Sequence, residues 1–479
     1  MAHGFGDVAL FGLGASTRAA AEYLAALPAG EVGSIAVYAG APSPSARAAA
    51  EALEGRGVRV VWDVEEPERD FDLGVVSPGI PAIGSFYAAA ARRCAELVSE
   101  PELAWRESPR DWLAITGTNG KTTTTTLACE LLRSSGLQAR TVGNIGLPPI
   151  ACVAGRPAGE VFVAELSSFQ LHGTRRFAPR AAAVLNVTPD HVEWHGTLEA
   201  YAADKERVFA NMGPDGLCAL GTDEACRAMA ERLRLAGRRV AVLGEEPTCC
   251  AADGAWLDQN GRLVVRLRGR DHVLCRFDDM RIKGPHNAQN ALAAAALALE
   301  AGASDEGVAR GLLEFSPLEH RIEPCGSFGG VSFFDDSKAT NVDAAEKALS
   351  AFEPGTVVVM LGGHDKGTDL QGFARTVVSR CRAAVAYGEA GERFYDALAS
   401  ARAEAGPSCA CLLERRPNMR AGFEAACTLA RPGDAVLLSP ACSSFDEFSG
   451  YAERGRAFKG WVRGLGGAPD AAAGEGGAR

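Results

Sequence analysis

The chain has 479 residues, 47% of them hydrophobic and 23% charged, which is enough for about three globular domains of ordinary soluble composition. Acidic residues outnumber basic ones by 60 to 49, and the net charge of -11 argues against a general binder of nucleic acid or anionic membranes. The fourteen cysteines lack metal-ligand spacing, and residues 1–7 lack the features of a signal peptide. We therefore expect a cytoplasmic protein with reduced cysteines and no membrane insertion.

The first strand-and-helix block begins at residue 7 with an apolar strand, a glycine turn and a helix, which predicts a Rossmann-like nucleotide fold. A dinucleotide fingerprint would need a third glycine at Thr17 and an acidic residue near Tyr38–Gly40, so NAD binding is poorly supported. A later turn places Ser77 and Gly79 at the carboxyl end of a strand, where open parallel sheets bind ligands. An ordinary turn is the alternative.

A phosphate-binding loop is predicted at Ile115–Thr123, which follows an apolar strand and opens a helix. Gly117 and Gly120 allow backbone N–H groups to surround phosphate oxygens, Lys121 supplies a cation, and Thr122 offers a hydroxyl to Mg²⁺. The strict Walker pattern would place a glycine at Ile115, so this is a shortened loop. A chance Gly-Lys-Thr triplet in a surface turn is the alternative.

Polar residues follow the next two apolar strands, Val161–Ala164 and Ala182–Leu185. Glu165 follows the first strand, and Asp190 and His191 lie a few residues beyond the second. Each of the three could be a solvated strand-end residue. Their repetition on the sheet that carries the phosphate loop favours a Mg²⁺-nucleotide site.

A third block begins near Ser316 and again alternates strands with helices. Its strands end in the polar clusters Asp335–Asn341, Gly362–Lys366 and Ser439–Asp446, which gather at one edge of a sheet if the strands are parallel. We expect the small, polar tail from Leu465 to fray.

Over nearly its whole length the chain resembles the Mur ligase family. The family-wide marks are Thr116–Thr123, Gly143–Gly146, Ala164–Gln170, Asn186–His191 and His286–Asn290, and those of the D-glutamate-adding branch are Asp336–Asn341 and Ser439–Phe448. The resemblance implies an α/β protein of three domains. These are a Rossmann-like domain for the uridine nucleotide at 1–99, a central P-loop ATPase-type domain at 100–315 and a Rossmann-like amino-acid domain at 316–479.

The activity that the resemblance implies is the ATP-dependent addition of D-glutamate to UDP-N-acetylmuramoyl-L-alanine through an acyl phosphate, in the cytoplasmic stage of peptidoglycan synthesis. The implied partners are these small molecules and no nucleic acid, and we expect a monomer. Other ligases of the family add L-alanine, a diamino acid, a dipeptide or folate-linked glutamate, and only the third-domain loops favour D-glutamate.

The resemblance also implies residue roles. Lys121 matches the lysine that holds the β and γ phosphates, while Thr122, Glu165 and His191 match ligands of two Mg²⁺ ions. Lys205 matches the family's carbamylated lysine, which supplies anionic oxygens to a metal site. The other implied ATP-binding positions are Gly117, Thr118, Asn119, Gly120, Thr123, Asn287, Asn290, Arg321 and Asp336. The implied substrate contacts are Ser77, Gly79, Asn144, Ser167 and Gln170 for the muramoyl nucleotide and Thr340, Lys366, Ser444 and Tyr451 for D-glutamate.

Two departures and two rival interpretations accompany the resemblance. Tyr38–Gly40 stands where relatives carry an acid and a hydroxyl for uracil, and Tyr451 stands where phenylalanine is common. A non-catalytic nucleotide-binding regulator is opposed by the intact residues Lys121, Glu165, His191 and Lys205. A dehydrogenase would depend on Gly12 and Gly14 alone.

Overall fold

The computed structural model describes residues 4–364, 367–407 and 409–466 in two compact units. The first unit comprises the chain up to Met280 together with Asn287–Phe315, and the second comprises Arg281–His286 and the chain from Ser316 onward. Lys366 and the predicted tail from residue 467 lie outside the described residues. Three of the four sheets are largely parallel with helices in the crossovers, which confirms the α/β class.

The first unit begins with a parallel sheet whose central strand β1 is almost entirely buried, whereas β3 and β5 at its edges carry exposed residues. Its elements are β1 (Asp7–Phe11), α1 (Ala15–Ala25), β2 (Ser34–Ala39), α2 (Pro44–Glu54), β3 (Arg59–Trp62), β4 (Phe71–Val76), α3 (Ser85–Arg93), β5 (Cys94–Ser99) and α4 (Glu100–Glu107). The strand order is β3-β2-β1-β4-β5.

A second parallel sheet in the same unit contains the predicted phosphate loop. Its elements are β6 (Trp112–Thr116), α5 (Lys121–Ser134), β7 (Ala139–Gly143), β8 (Val161–Glu165), α6 (Ser168–His172), β9 (Ala181–Val184), α7 (Val192–His195), α8 (Leu198–Glu206), β10 (Leu217–Leu220), α9 (Glu224–Leu235) and β11 (Arg239–Val242). The strand order is β11-β10-β9-β6-β8-β7, so β6 lies between β8 and β9. The loops after these three strands therefore meet at one edge.

The first unit also contains a small antiparallel sheet and two helices. These elements are β12 (Gly254–Leu257), β13 (Arg262–Leu267), β14 (Arg270–Arg276), α10 (Pro285–Glu300) and α11 (Asp305–Glu314). The boundary between the two units falls inside α10. The alanine run of α10 is buried, and no helix among the described residues combines the length and apolar character needed to cross a membrane.

The second unit contains a six-stranded sheet with its own helices. Its elements are β15 (Glu323–Phe328), β16 (Val331–Asp335), α12 (Val342–Leu349), β17 (Val357–Gly362), α13 (Gln371–Arg380), β18 (Ala383–Tyr387), α14 (Gly391–Ala405), β19 (Leu412–Arg416), α15 (Met419–Leu429), β20 (Ala435–Ala441) and α16 (Tyr451–Gly464). The strand order is β15-β16-β20-β17-β18-β19, and only β15 pairs antiparallel. The parallel strands β16, β20 and β17 are adjacent, so the three predicted polar clusters begin at one edge.

Candidate functional site

The predicted phosphate loop connects β6 to α5 in a conformation that requires glycine at its last position. Gly120 has φ of +86°, and a Cβ atom there would lie 2.4 Å from the Asn290 side-chain oxygen. The loop is fixed from the neighbouring strand, because the Asn186 side-chain oxygen accepts from the Asn119 N–H at 2.8 Å and its amide donates to the Asn119 carbonyl at 3.0 Å. The N-terminal end of α5 lies directly after this loop, and the positive end of a helix dipole suits an anion.

Two lysines converge on one carbonyl of this loop. Lys121 Nζ donates to the carbonyl oxygens of Gly117 and Thr118, each at 2.8 Å, and Lys205 Nζ donates to the Gly117 oxygen at 2.9 Å. Lys205 is fully buried, and burial, reinforced by the charge of Lys121, holds its pKa well below the usual value. The structure thus brings Lys205 to the phosphate loop as a buried amine that favours the neutral form.

Glu165 lies at the end of β8 with one oxygen paired and one unpaired. Its Oε1 accepts from the Asn144 side-chain amide at 2.8 Å, and its main-chain oxygen accepts from the Asn144 N–H at the same distance. Its Oε2 is buried and has no hydrogen-bond partner among the described residues. Because an unsatisfied buried carboxylate oxygen is costly, this atom is suited to receive a cation.

His191 lies on the loop after β9, in the left-handed conformation with φ of +54°. Its Nε2 is 3.6 Å from a carboxylate oxygen of Asp190, and its ring packs against Phe169 with centroids 4.9 Å apart. The imidazole is 38% exposed and therefore accessible to a ligand. β6 lies between β8 and β9, so Glu165 and His191 flank the phosphate loop at the same sheet edge.

A compact cluster of three metal-binding side chains occurs elsewhere in the described part of the chain, at Glu319, His320 and Glu323. Its two carboxylates are already paired with Lys459, at 2.6 and 3.1 Å. The His320 Nδ1 atom is bonded to Asp335 at 2.6 Å. These pairings occupy both carboxylates and His320 Nδ1, whereas the buried His320 Nε2 has no hydrogen-bond partner among the described residues.

Two expected muramoyl contacts, Ser167 and Gln170, form the capping box of α6. The Ser167 hydroxyl accepts from the Gln170 N–H, and the Gln170 side-chain oxygen accepts from the Ser167 N–H at 2.9 Å. These bonds fix the start of α6 directly beyond Glu165.

In the first sheet, Ser77 and Gly79 follow β4. The Ser77 Cβ lies 2.8 Å from the position that a Cβ atom would take at Gly12. The glycine turn after β1 and the predicted ligand turn after β4 are therefore adjacent.

The second unit contains several described residues that are expected to contact nucleotide or amino acid. They lie after β16, after β20 or before β15. Asp336 Oδ2 accepts from the Ser439 hydroxyl at 2.7 Å, and burial raises the pKa of this carboxyl to about 7 against the opposing effects of Ser439 and Arg321. Ser444 is buried and Tyr451 is partly buried; the Tyr451 ring lies 3.8 Å from Lys338 Nζ. Thr340 is also partly buried, in the segment between β16 and α12.

Several residues that organise these sites were not predicted from the sequence. Tyr201 donates to or accepts from the Thr118 hydroxyl at 3.2 Å, and its ring lies 4.1 Å from Lys205 Nζ. Asp204 accepts from His195 at 2.9 Å, and the same imidazole bonds the Ser168 hydroxyl at 3.0 Å. The one available signal was the four-residue spacing of Tyr201 and Lys205 on one helix face.

Comparison with known families and proteins gives consistent matches. The family profile of the Mur ligase middle domain matches residues 115–298, and that of the Mur ligase glutamate ligase domain matches residues 320–442. A UDP-N-acetylmuramoylalanine--D-glutamate ligase of Pelotomaculum thermopropionicum is 41% identical over 397 residues, covering 81% of this chain and 82% of that protein. The Streptomyces coelicolor protein of the same name is 37% identical over 479 residues, covering 96% and 98%.

Solved structures with similar folds are more distant in sequence. A UDP-N-acetylmuramate-alanine ligase from Thermotoga maritima has a TM-score of 0.53 and 18% identity, covering 96% of this chain and 99% of that one. A pseudomurein peptide ligase type C from Methanothermus fervidus has a TM-score of 0.54 and 14% identity, covering 90% and 96%. At this identity the likeness concerns the fold alone.

Proposed function

The chain belongs to the Mur ligase family, and we propose that it adds D-glutamate to UDP-N-acetylmuramoyl-L-alanine in an ATP-dependent reaction of peptidoglycan synthesis. The observation that carries this proposal is the 37–41% identity to D-glutamate ligases, which in one case spans 96% of the chain. The structural neighbours under 20% identity support only the fold.

The reaction has two transfers. The carboxylate of the L-alanyl group attacks the γ-phosphorus of ATP, which gives an acyl phosphate and ADP. The amine of D-glutamate then attacks the acyl carbon, an amide bond forms, inorganic phosphate leaves and the amine gives up a proton. Both transfers concentrate negative charge on oxygens, so the site must supply fixed positive charge and N–H donors.

Lys121 and the start of α5 are suited to that task. The ammonium lies 2.8 Å from two carbonyl oxygens of its own loop, so phosphate oxygens entering the loop would be more favourable partners. The Asn119–Asn186 hydrogen bonds hold the loop open before substrate arrives, which limits reorganisation during the reaction. The proposed adenine-side contacts are Asn290 and Asn287. Asn290 lies beside Gly120, and its side-chain amide donates to the Asn287 side-chain oxygen at 3.0 Å.

The residues at the sheet edge fit Mg²⁺, because Glu165 offers a buried oxygen that no other described residue engages and His191 offers an accessible imidazole. We assign Glu165, His191 and Thr122 as ligands of the two expected ions. Bound Mg²⁺ would neutralise charge on the transferring phosphoryl oxygens. Asn144 fixes the other oxygen of Glu165 and thereby orients the carboxylate toward its ligand.

Lys205 is the proposed carbamate. A neutral amine reacts with CO₂ to give a carbamate and a proton, and burial keeps this amine from protonating. The product would carry two oxygens and a negative charge beside Lys121, where an unmodified ammonium would be repelled. The modification therefore relieves an unfavourable pair of buried amines and adds an anionic ligand.

The acceptor amino acid is assigned to the second unit. Thr340 and Ser444 lie on loops that follow the adjacent strands β16 and β20, and Tyr451 is the first residue of α16. Lys366, which lies outside the described residues, is assigned to the same pocket from its sequence segment alone. We assign the domains as 1–99, 100–315 and 316–479 and expect a cytoplasmic monomer. Arg321 and Asp336 are the proposed nucleotide contacts of the last domain.

The decisive experiment is phosphate release from ATP with UDP-N-acetylmuramoyl-L-alanine and a panel of amino acids. We expect turnover with D-glutamate and little with L-glutamate, L-alanine, a diamino acid or D-alanyl-D-alanine. The matched control replaces the muramoyl nucleotide by UDP-N-acetylmuramate, which lacks the L-alanyl carboxylate. Turnover with another amino acid would retain the ligase chemistry and reject the D-glutamate assignment.

A further inference from the structure

Arg454 is a buried arginine at the edge of the second sheet where the proposed amino-acid residues lie. Its side chain projects from the first turn of α16 and is only 1% exposed. Nε donates to the Ser337 hydroxyl at 2.9 Å, and Nη2 donates to the carbonyl oxygens of Ser337 and Cys442 at 2.9 and 3.0 Å. Nη1 donates to the Ser443 carbonyl oxygen at 3.1 Å. One guanidinium therefore joins the loops after β16 and β20.

The loop after β17 is packed against the same group. A Cβ atom at Gly363 would lie 3.0 Å from Arg454 Nη1 and 2.2 Å from the Ser443 oxygen, and φ of +131° also requires glycine there. The next residue, His364, donates its N–H to the Ser443 oxygen at 2.9 Å. All three loops of this sheet edge thus meet around Arg454.

All four hydrogen bonds of Arg454 end on neutral oxygens. Among the described residues, no carboxylate forms an ion pair or a hydrogen bond with it. The carboxylate of Glu447 interacts with this charge through space but is not paired with it directly. Burying a cation without a directly paired carboxylate is unfavourable, so this charge costs stability in the absence of substrate. A negatively charged ligand at this edge would offset that cost.

The residues proposed to form the amino-acid pocket are close to the Arg454 guanidinium both in sequence and in space. Ser444 directly follows Ser443, whose carbonyl is held by Nη1. Tyr451 lies one helical turn before Arg454, and its carbonyl oxygen accepts from the Ser337 hydroxyl at 2.8 Å. Moving the guanidinium would therefore shift two of the proposed contacts together.

From these contacts we propose that Arg454 is the positioning residue of the amino-acid pocket and the source of its fixed positive charge for a dicarboxylic amino acid. The inference rests on the proposed function, which places the acceptor amino acid at this edge. Arg454 acts without touching substrate, because its side chain is buried and four of its five N–H donors are taken by main-chain and hydroxyl oxygens. It fixes the positions of Ser444 and Tyr451 relative to each other. Its charge favours an amino acid with two carboxylates over one with a neutral side chain.

The test compares Arg454→Met and Arg454→Lys in the full-length enzyme, with Arg456→Met as the matched control. Arg456 is exposed on the same helix, so its loss removes an equal charge outside the pocket. For Arg454→Met we expect KM for D-glutamate to rise at least about 20-fold, while KM for ATP stays within about 3-fold. Arg454→Lys keeps the charge without the fork and should restore KM to within about 5-fold of the wild type, with a lower kcat.

A purely structural role would affect all substrates alike. Equal rises in KM for ATP and D-glutamate, or an unchanged D-glutamate KM in an Arg454→Met enzyme that melts like the wild type, would overturn the proposal. If Arg454→Met does not fold, Ser337→Ala removes the acceptor of Nε together with the hydroxyl that donates to the Tyr451 carbonyl oxygen, and it should raise KM for D-glutamate by about 3-fold to 10-fold. An unchanged KM in that variant would also overturn it.

The wild-type assay separates this inference from the proposed function. If the wild-type enzyme turns over without preference for D-glutamate, the acceptor assignment fails. The Arg454 variants are then measured with the amino acid that the wild type accepts. A KM rise confined to that amino acid supports the positioning role, and its absence rejects it.

Discussion

Lys121 and Lys205 donate hydrogen bonds to the same acceptor, the main-chain carbonyl oxygen of Gly117. Two ammonium groups at such a short separation would repel each other strongly in a buried site. Burial and the charge of Lys121 lower the pKa of Lys205, so the pair is best described as one cation and one amine. The two lysines should consequently respond differently to substitution.

Lys121→Ala should lower kcat by at least about 10³-fold, because the ammonium stabilises phosphate oxygens in the transition state. Steady-state phosphate release measures the effect. Arg133→Ala is the control, since Arg133 lies in the last turn of the same helix and its side chain is 50% exposed. Near-normal turnover of Lys121→Ala would contradict the phosphate-loop assignment.

Lys205 should carry a carbamate when the enzyme is active. Supplying ¹³C-labelled bicarbonate should produce a carbamate carbon resonance that is absent from Lys205→Met, and removing CO₂ should lower activity. The spectroscopic signal is independent of turnover. An active enzyme with an unmodified amine at this position would exclude the carbamate.

Stability gives a second test of Lys205. In the absence of CO₂ the unfolded chain keeps a proton on this lysine up to a pH of about 10.4, whereas burial lowers the pKa of the same lysine in the folded protein, so the buried amine destabilises the fold below that pH. Lys205→Met should therefore melt at a higher temperature than the CO₂-free wild type at pH 8. If Lys205→Met melted at a lower temperature than the CO₂-free wild type, the amine would have to be stabilised by contacts other than those with Gly117 and Tyr201.

The parallel sheets could be predicted from sequence because their strands are buried on both faces. Strands such as β8 and β9 are continuous apolar runs that stop abruptly at polar residues. The antiparallel sheet of β12, β13 and β14 was missed, since a strand such as β14 mixes charged and apolar residues without clear alternation. The helix that carries Lys205, α8, ends at Glu206 and continues as the 3₁₀ turn Arg207–Phe209.

The candidate site was only partly predictable, because several of its properties depend on contacts between distant segments. Glu165 and His191 could be selected from their positions after strands. The burial of Lys205 depends on its contact with Gly117, so the family resemblance was needed to select it. Arg454 has the local sequence of a surface arginine, but the loops after β16, β17 and β20 enclose it. The close approach of its helix at Gly455, where a Cβ would lie 2.2 Å from His320 Nδ1, contributes to this burial.

Replacing either of two buried glutamates of α4 by glutamine should change the free energy of unfolding, but in opposite directions. Glu100 accepts one N–H, from Ile150, and burial raises its pKa to about 8. The unfolded state loses this proton near pH 4.5, so the stability contributed by the neutral acid falls as pH rises from 4.5 to 8. Glu100→Gln should increase the free energy of unfolding at pH 8, by an upper limit of about 4–5 kcal/mol.

Glu102 is the matched control for Glu100. Its carboxylate accepts from the N–H groups of Arg175, Arg176 and Phe177 and from Arg106 Nε, so Glu102→Gln should destabilise the protein by about 1.5–3 kcal/mol or more. Thermal melts of both variants at pH 5 and pH 8 measure the difference. Equal destabilisation by the two substitutions would contradict the environment assigned to Glu100.

Selectivity for D-glutamate provides the last prediction. Thr340 lies beyond β16 at the proposed pocket edge, whereas Thr356 precedes β17 at the opposite edge of the same sheet. Loss of a hydroxyl that donates to a carboxylate costs about 1.5–3 kcal/mol, so Thr340→Val should lower kcat/KM for D-glutamate by about 10-fold to 150-fold, and Thr356→Val should change it little. The apparent affinity for ATP should be unaffected in both variants. Because two fixed carboxylates determine where the amine points, L-glutamate should direct its nitrogen away from the acyl phosphate and react poorly. Comparable rates with the two enantiomers, or equal effects of the two threonine substitutions, would place the amino-acid pocket elsewhere.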